Sequence, residues 1–268
     1  MSASTSIGFT GRSSGRSSSG RVADDRRPGL GRLTAVELRK MVDTRSGFWV
    51  PIAVALFTLA GAIVAAANHG GRDGTLSHVF HVAAQPAAFL LPVMGVLLIC
   101  GEWSQRTTLT TFTLVPSRKR VIAAKFGASL IVSTVALVAC LLFTLLCASL
   151  LGHATGGVGS LSLQVIAQGW VFLVAGMVMG LAFGAAILVS APAIVAYLLL
   201  PAVWDAVVGN INGLAGLARW LDSSVTLAPL TQQAMSGTQW AHALVTFAVW
   251  IGIPTAIGWA RISSGDID

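Results

Sequence analysis

Six long apolar runs constrain this chain more than any other feature of its sequence. A helix needs about 20 apolar residues to cross the hydrocarbon core of a bilayer, with its backbone hydrogen bonds satisfied inside the segment. The sequence therefore predicts an all-α, polytopic membrane protein with six transmembrane helices. Only Ser190, Ala191 and Pro192 punctuate the fourth and fifth runs, which predicts a tight helical hairpin. The runs cover residues 49–67, 82–100, 126–151, 165–189, 191–208 and 241–260.

The composition excludes a separate soluble domain. The chain is 54% hydrophobic and 10% charged, whereas soluble domains carry roughly 25% charged residues. The 268 residues are mostly used in the apolar runs, so no soluble enzyme domain fits beside them. Cys100, Cys140 and Cys147 all lie in apolar runs without metal-ligand spacing. We therefore expect three buried, unpaired cysteines.

The distribution of basic residues predicts the orientation of the spans. Nine Lys and Arg residues precede the first run, five lie in residues 101–125, and Arg261 follows the last run. The two others, Arg72 and Arg219, fall in the alternate loops. Because Lys and Arg mark the cytoplasmic face, both termini are predicted to be cytoplasmic, in a multi-pass protein of the plasma membrane. Because the orientation of the spans already explains the excess of positive charge, that charge does not indicate a nucleic-acid partner.

The polar segments divide the chain further. Residues 1–29 are rich in Ser, Gly and Arg, which predicts a disordered cytoplasmic tail. Residues 30–48 are predicted to form an amphipathic helix at the membrane interface, with Ala35, Leu38, Met41 and Val42 on its apolar arc. Residues 209–240 form a long outer loop, apolar enough for short interfacial helices and a gate, and residues 261–268 a cytoplasmic C-terminus. The residues that we assign to the interfacial helix surface are Leu38, Arg39, Lys40, Met41 and Arg45.

Few residues in the chain are candidates for a catalytic or ligand-binding role. No phosphate-binding loop of the form GxxxxGK[ST] occurs, and no catalytic or metal-binding cluster is evident, so we expect a non-enzyme. Asp205 is the one acidic residue within an apolar run and is a candidate for gating or substrate contact, unless it is simply hydrated or caps a helix. The histidines are His69, His78, His81, His153 and His242. His78 and His81, three residues apart, could share a helix face, but we expect them to be solvated residues of an outer loop and not metal ligands.

Residues 101–125, GEWSQRTTLTTFTLVPSRKRVIAAK, form the largest polar connection on the predicted cytoplasmic side. Glu102 closes the second run, and a Thr-rich segment with Phe112 and Leu114 precedes the basic cluster Arg118–Arg120. Topology alone explains the basic residues but not the Thr-rich segment. The sequence therefore predicts a surface through which a cytoplasmic partner acts on the spans.

This segment and the arm LTAVELRKMVDTRSGFWV resemble the permease subunit of bacterial ABC-2 type ABC transporters. The matching residues are Glu102, the Thr-rich run 107–113, Pro116, Arg118–Arg120 and Lys125. The resemblance implies an ABC-2 type exporter fold, a separate cytoplasmic ATPase that binds ATP and Mg²⁺, and a second permease copy or paralogue. No cofactor is expected on this chain. The residues that the resemblance assigns to ATPase coupling are Glu102, Arg106, Thr110, Phe112, Leu114, Pro116, Arg118, Arg120 and Lys125.

Three alternatives stay open beside an ATP-driven exporter of a hydrophobic or amphipathic substrate. An ion-coupled carrier would predict embedded charge pairs and an internal repeat. A membrane enzyme would predict a catalytic cluster at one interface. A permease-like immunity protein that transports nothing is indistinguishable by sequence from a permease.

Overall fold

The computed structural model describes residues 29–67, 76–104, 118–150, 161–211, 216 and 220–264. Within these ranges the chain is helical and has no strands. The helices are α1 (Leu30–Asp43), α2 (Arg45–Ala67), α3 (Leu76–Ser104), α4 (Arg118–Leu150), α5 (Leu163–Ile187), α6 (Ser190–Asn210), α7 (Ser223–Leu227), α8 (Pro229–Gln232), α9 (Gly237–Phe247) and α10 (Ile253–Ser264), with a π-helical segment, Ala248–Gly252, between the last two.

Within the described ranges six helical segments are long and apolar enough to cross a membrane, which confirms the predicted helical class and agrees with the six predicted apolar runs. Several helices extend beyond the predicted runs: α3 begins at Leu76 and continues to Ser104, and α4 begins at Arg118. Short polar stretches at these ends still have helical propensity, and hydropathy alone does not register it. The spanning segments are Gly47–Ala67, Leu76–Gly101, Arg120–Leu150, Leu163–Ile187, Ser190–Val208 and Gly237–Arg261.

Helices α3 and α5 form the centre of the bundle. At some positions their backbones touch directly, because no side chain lies between them. A methyl group at Gly180 would lie 1.9 Å from the Pro92 carbonyl oxygen. Small residues allow such close approach between membrane helices, where dispersion contacts replace the hydrophobic effect. Around this contact the main core contains Phe80, Leu91 and Met177. All three cysteines are buried and unpaired, as predicted.

A two-residue connection joins α5 to α6, and it fixes which helix ends lie together. Leu188 adopts a left-handed conformation with φ 65°, so the chain reverses at once. At this level the Cys100 thiol donates to the Gly184 carbonyl at 3.5 Å, and Arg261 donates to the Ala186 carbonyl at 2.7 Å. The ends of α3, α5 and α10 therefore share one end of the bundle. We call it the α1 end, because α1 also lies there, and the other the opposite end.

The π-helical segment interrupts the last span just before Pro254. Proline has no backbone N–H, and its ring crowds the carbonyl four residues earlier, which here is Trp250. A wider turn is a common way for a helix to absorb such a defect, and π segments are frequent at functional sites. Trp250 uses its indole N–H to donate to the Leu221 carbonyl at 3.1 Å. The segment thus connects the last span to the polypeptide that covers the opposite end.

Candidate functional site

Helix α1 lies against the bundle and packs chiefly on α4, with further contacts to α2 and α3. Its buried residues are Met41 and Glu37, and Leu38 is half-buried. Ala35 and Val42, which were expected on the apolar arc, are exposed. The face toward the bundle therefore includes part of the predicted apolar arc, Leu38 and Met41, together with a carboxylate. The chain turns at Thr44, whose hydroxyl accepts from the Gly47 N–H at 3.0 Å and caps the start of α2.

A buried ion pair connects α1 to two spanning helices. The Lys125 ammonium donates to Glu37 Oε2 at 2.7 Å and to the Leu98 carbonyl at 3.0 Å. Lys40 donates to the other oxygen, Glu37 Oε1, at 2.9 Å. The side chains of Glu37 and Lys125 are each 5% exposed. This one cluster therefore joins α1, the last turns of α3 and the second turn of α4.

The geometry of the pair explains how two charges tolerate burial. Ion pairs withdrawn from water are retained when their remaining hydrogen-bonding capacity is also satisfied. Here both carboxylate oxygens of Glu37 accept from ammonium groups, and Lys125 donates a second bond to a backbone carbonyl. Charge-assisted bonds of this kind are among the stronger ones in proteins. The cluster therefore holds α1 at a fixed position against α3 and α4.

The structure changes the interpretation of Lys125. The sequence places it at the end of an exposed coupling loop, but α4 begins seven residues earlier and turns the side chain into the bundle. It is therefore positioned to hold α1 and not to contact a cytoplasmic partner directly. Arg120 is half-buried near the start of α4. Lys40 belongs to the cluster through its bond to Glu37. Arg39 is exposed and forms an ion pair with Asp43 at 3.6 Å.

Most other predicted coupling residues lie outside the described part of the chain. Residues 105–117 are among these, and with them the docking segment that the resemblance implies, residues 105–114. Glu102 and Arg118 lie at the facing ends of α3 and α4, and Arg45 begins α2. The residues in 105–117 that stay predictions are Arg106, Thr110, Phe112, Leu114 and Pro116.

Sequence reasoning missed Glu37. It is an acidic residue within the otherwise apolar and basic stretch LTAVELRKM, four positions before Met41 and so on the same helical face. A carboxylate on the face that packs against the bundle requires a partner. Lys125, immediately before an apolar run, is a basic residue positioned to supply one. Those two signals together could have suggested the pair.

At the opposite end, residues 220–236 form what we call the cap segment, which includes α7 and α8. Side chains of the spans fasten it at several points. The Thr246 hydroxyl donates to the Trp220 carbonyl at 2.9 Å and bonds the Thr226 hydroxyl at 2.9 Å. His81 of α3 bonds the Thr231 hydroxyl. The predicted outer loop is thus partly a packed, helical element, as its apolar composition indicated.

Gln168 of α5 makes a further attachment to the cap segment. It is buried, and with its amide oriented to satisfy both groups it donates to the Gln233 carbonyl and accepts from the Met235 N–H, each at 2.9 Å. One side chain thereby pairs two backbone groups of an irregular stretch. The regular helix α9 follows this stretch. Ser236 and Gln239 cap its start reciprocally, each side chain accepting from the other residue's backbone N–H.

Beneath the cap segment lies a cavity of about 540 Å³. It is bounded by α3, α5, α6, the cap segment and the π-helical segment. Ligand pockets commonly have volumes of 300–1,000 Å³ with apolar walls and a few polar groups. The walls here are rich in aromatic rings, and the polar groups include Asp205 and His81. The aromatic side chains that line the cavity are Phe89, Phe172, Tyr197, Phe247 and Trp250.

Asp205 contributes the carboxylate of this cavity. Its Oδ2 accepts from the Ser223 hydroxyl at 3.3 Å, while Oδ1 is buried and has no hydrogen-bond partner within the described ranges. It lies inside α6 and so does not cap that helix, and its partner Ser223 is the first residue of α7. His78 and His81 lie in α3 and not in a solvated loop, because that helix begins six residues before the predicted run.

Comparisons with known proteins add no assignment. No protein-family model matches the chain, and no characterised protein matches it at a significant level. Among the residues that the structure describes, no group of three His, Cys, Asp or Glu side chains is placed to hold a metal ion.

Proposed function

We propose that this chain is the membrane-spanning permease subunit of an ATP-driven exporter of ABC-2 type, located in the plasma membrane. A separate cytoplasmic ATPase would supply the energy, with ATP and Mg²⁺ bound there. A second permease copy or a paralogue would complete the translocation path. The substrate class would be hydrophobic or amphipathic, which suits the apolar spans.

The single observation that carries this proposal is the buried cluster of Glu37, Lys125 and the Leu98 carbonyl. It joins α1 to α3 and α4, and the connection between those two helices is the predicted docking segment. A displacement of α1 or of residues 105–117 would therefore be transmitted to the same two spans. An exporter driven by a cytoplasmic motor requires such a mechanical connection between its inner surface and its helices.

The charge pattern supports the orientation that this function needs. Fifteen of the seventeen basic residues lie in segments at the α1 end by the predicted topology. Positive charge favours the cytoplasmic side. The α1 end would thus face the cytoplasmic ATPase, and the aromatic cavity would open toward the outer leaflet.

A second candidate, an ion-coupled carrier, is favoured by one observation. Asp205 has a carboxylate oxygen buried in the cavity without a hydrogen-bond partner within the described ranges, and embedded carboxylates often bind coupling ions. A carrier of this kind would not need an ATPase. The same experiment therefore separates the two functions.

The test is affinity purification of the tagged chain from native membranes in a mild detergent, with the partners identified by mass spectrometry. We expect a P-loop ATPase to co-purify with the wild type. A variant with Phe112→Asp and Leu114→Asp should lose it, because charges would disrupt the apolar docking segment. Val225→Asp is the matched control: this side chain is 58% exposed in the cap segment, at the opposite end.

Retention of the ATPase by the control and its loss from the double variant would support the proposal and its orientation. Absence of any ATPase from the wild-type preparation would contradict the proposal and favour the carrier. Loss of the ATPase from the Val225→Asp control alone would contradict the proposed orientation.

A further inference from the structure

Among its described residues, the lining of the cavity beneath the cap segment contains one carboxylate, Asp205, one histidine, His81, and no lysine or arginine. Asp205 faces it directly. Asp222, in the cap segment next to the lining residue Ser223, is occupied as a helix cap, accepting from the Ser224 and Val225 N–H groups at 2.9 and 3.1 Å. No lysine or arginine lines the cavity within the ranges that the structure describes. The lining therefore offers a carboxylate to a ligand and no ammonium or guanidinium group that would neutralise it.

Asp205 has unused capacity to accept a charge-assisted interaction. One oxygen accepts a single bond of 3.3 Å from a serine hydroxyl, and the other is buried without a partner in the described part of the chain. A carboxylate withdrawn from water in mostly apolar surroundings is costly unless a positive charge compensates it. A bound cation would supply that compensation.

The walls specify what kind of cation fits. Aromatic faces attract organic cations through the quadrupole of the ring, and they bury the apolar body of a ligand at the same time. Tyr197 and Trp250 line the cavity together with three phenylalanines. A metal ion is less suited to the site, because Asp205 is the one carboxylate in the lining and no group of three His, Cys, Asp or Glu among the described residues is placed to hold one. A bulky cation with apolar substituents would contact both the carboxylate and the rings.

We propose that this cavity binds an amphipathic organic cation, with its charged centre at Asp205 and its apolar groups against the aromatic walls. The identification of this ligand as the exported substrate rests on the proposed function, but its binding does not require an ATPase. Two sources supply the same chemistry: a free amphipathic cation, or the ammonium headgroup of a membrane lipid.

The experiment measures binding to the full chain, purified without a partner in an uncharged detergent. Tetraphenylphosphonium is the cationic probe, and tetraphenylborate is its anion of nearly the same shape. Equilibrium dialysis against empty micelles corrects for partitioning of either ion. We expect saturable binding of the cation and none of the anion.

Variants locate the site. Asp205→Asn should weaken tetraphenylphosphonium binding by at least roughly tenfold, the lower end of what a close charge pair contributes, and Asp205→Glu should retain it. Asp43→Asn is the matched control, because it removes one aspartate at the α1 end, where the side chain is 66% exposed. Size-exclusion elution and the thermal transition of each variant verify that it is folded.

Equal binding of the anion would overturn the proposal, and so would an unchanged affinity in folded Asp205→Asn. A lipid arm distinguishes the two sources. Displacement of the probe by phosphatidylethanolamine but not by phosphatidylglycerol would identify a lipid headgroup, and retention of the probe against both would identify a free cation. Cation binding that is lost in Asp205→Asn would support this proposal even if no ATPase co-purified with the chain. Failure of this proposal and failure of the proposed function are therefore distinguishable.

Discussion

Glu37 and Asp205 show how differently one chain treats two withdrawn carboxylates. Both oxygens of Glu37 are bonded by lysines, at 2.7 and 2.9 Å. Asp205 has one serine bond and one oxygen without a partner in the described ranges. A carboxylate whose hydrogen bonds are satisfied within the protein fixes the helices that it joins, whereas one with an unsatisfied oxygen indicates a possible ligand site. This contrast is the reason for assigning a mechanical role to the α1 end and a binding role to the opposite end.

At the residue scale, the pair predicts a strong double-mutant coupling. Lys125→Met should reduce the free energy of unfolding by about 3–5 kcal/mol, because it leaves Glu37 buried with only the half-exposed Lys40 beside it. The double variant Glu37→Met with Lys125→Met should be more stable than Lys125→Met alone, since no charge then remains buried. Denaturant unfolding in detergent micelles, followed by circular dichroism, measures both quantities.

The exposed pair of Arg39 and Asp43 is the control for this cycle. Its side chains are 83% and 66% exposed, so Arg39→Met should cost less than about 1 kcal/mol. If Lys125→Met were no more destabilising than Arg39→Met, the buried cluster would not hold α1, and the mechanical role proposed for it would fail.

At the element scale, the contact between α3 and α5 determines the centre of the bundle. The backbones meet where Gly180 faces Pro92 and where Gly95 faces Met177. Pro92 lies within α3, and neighbouring helices often stabilise a membrane helix at a proline by packing closely against it. The core around this contact has little freedom to expand.

Gly180→Ala should therefore destabilise the bundle. Its methyl group would lie 1.9 Å from a backbone oxygen, so the two helices must separate. Overpacking of this kind costs about 1–3 kcal/mol, measured as a lower thermal transition of the purified protein. Gly237→Ala is the matched control, because no atom lies within 4 Å of the added methyl. An unchanged transition for Gly180→Ala would refute the close packing of α3 and α5.

The elements were largely predictable, and their contacts were not. Hydropathy over six runs predicted the spans because lipid requires about 20 apolar residues in each. It did not predict that α3 would begin at Leu76 or that α4 would begin at Arg118. Contacts between residues distant in sequence, such as Gln168 with Met235, depend on helix rotation within the bundle, which the local pattern does not reveal. For Glu37 and Lys125 the sequence offers two opposite charges that could pair, but not the position of α1 that brings them together.

At the scale of the whole molecule, the two ends of the bundle have opposite character. The α1 end is rich in basic residues and carries the buried cluster that joins α1 to α3 and α4. The opposite end has an aromatic cavity with one carboxylate in its lining, and the cap segment forms part of its wall. An exporter driven from the cytoplasm needs this division, with force received at one end and ligand held near the other. The central claim is that a cytoplasmic ATPase contacts the α1 end.

Site-specific photocross-linking in native membranes tests that claim most directly. The photoreactive residue p-benzoylphenylalanine would replace Arg39, which is 83% exposed on α1, or Val225, which is 58% exposed on the cap segment. If the ATPase contacts the α1 end, illumination should give an adduct with a P-loop ATPase from position 39 and none from position 225. An adduct with such an ATPase from position 225 and none from position 39 would contradict it.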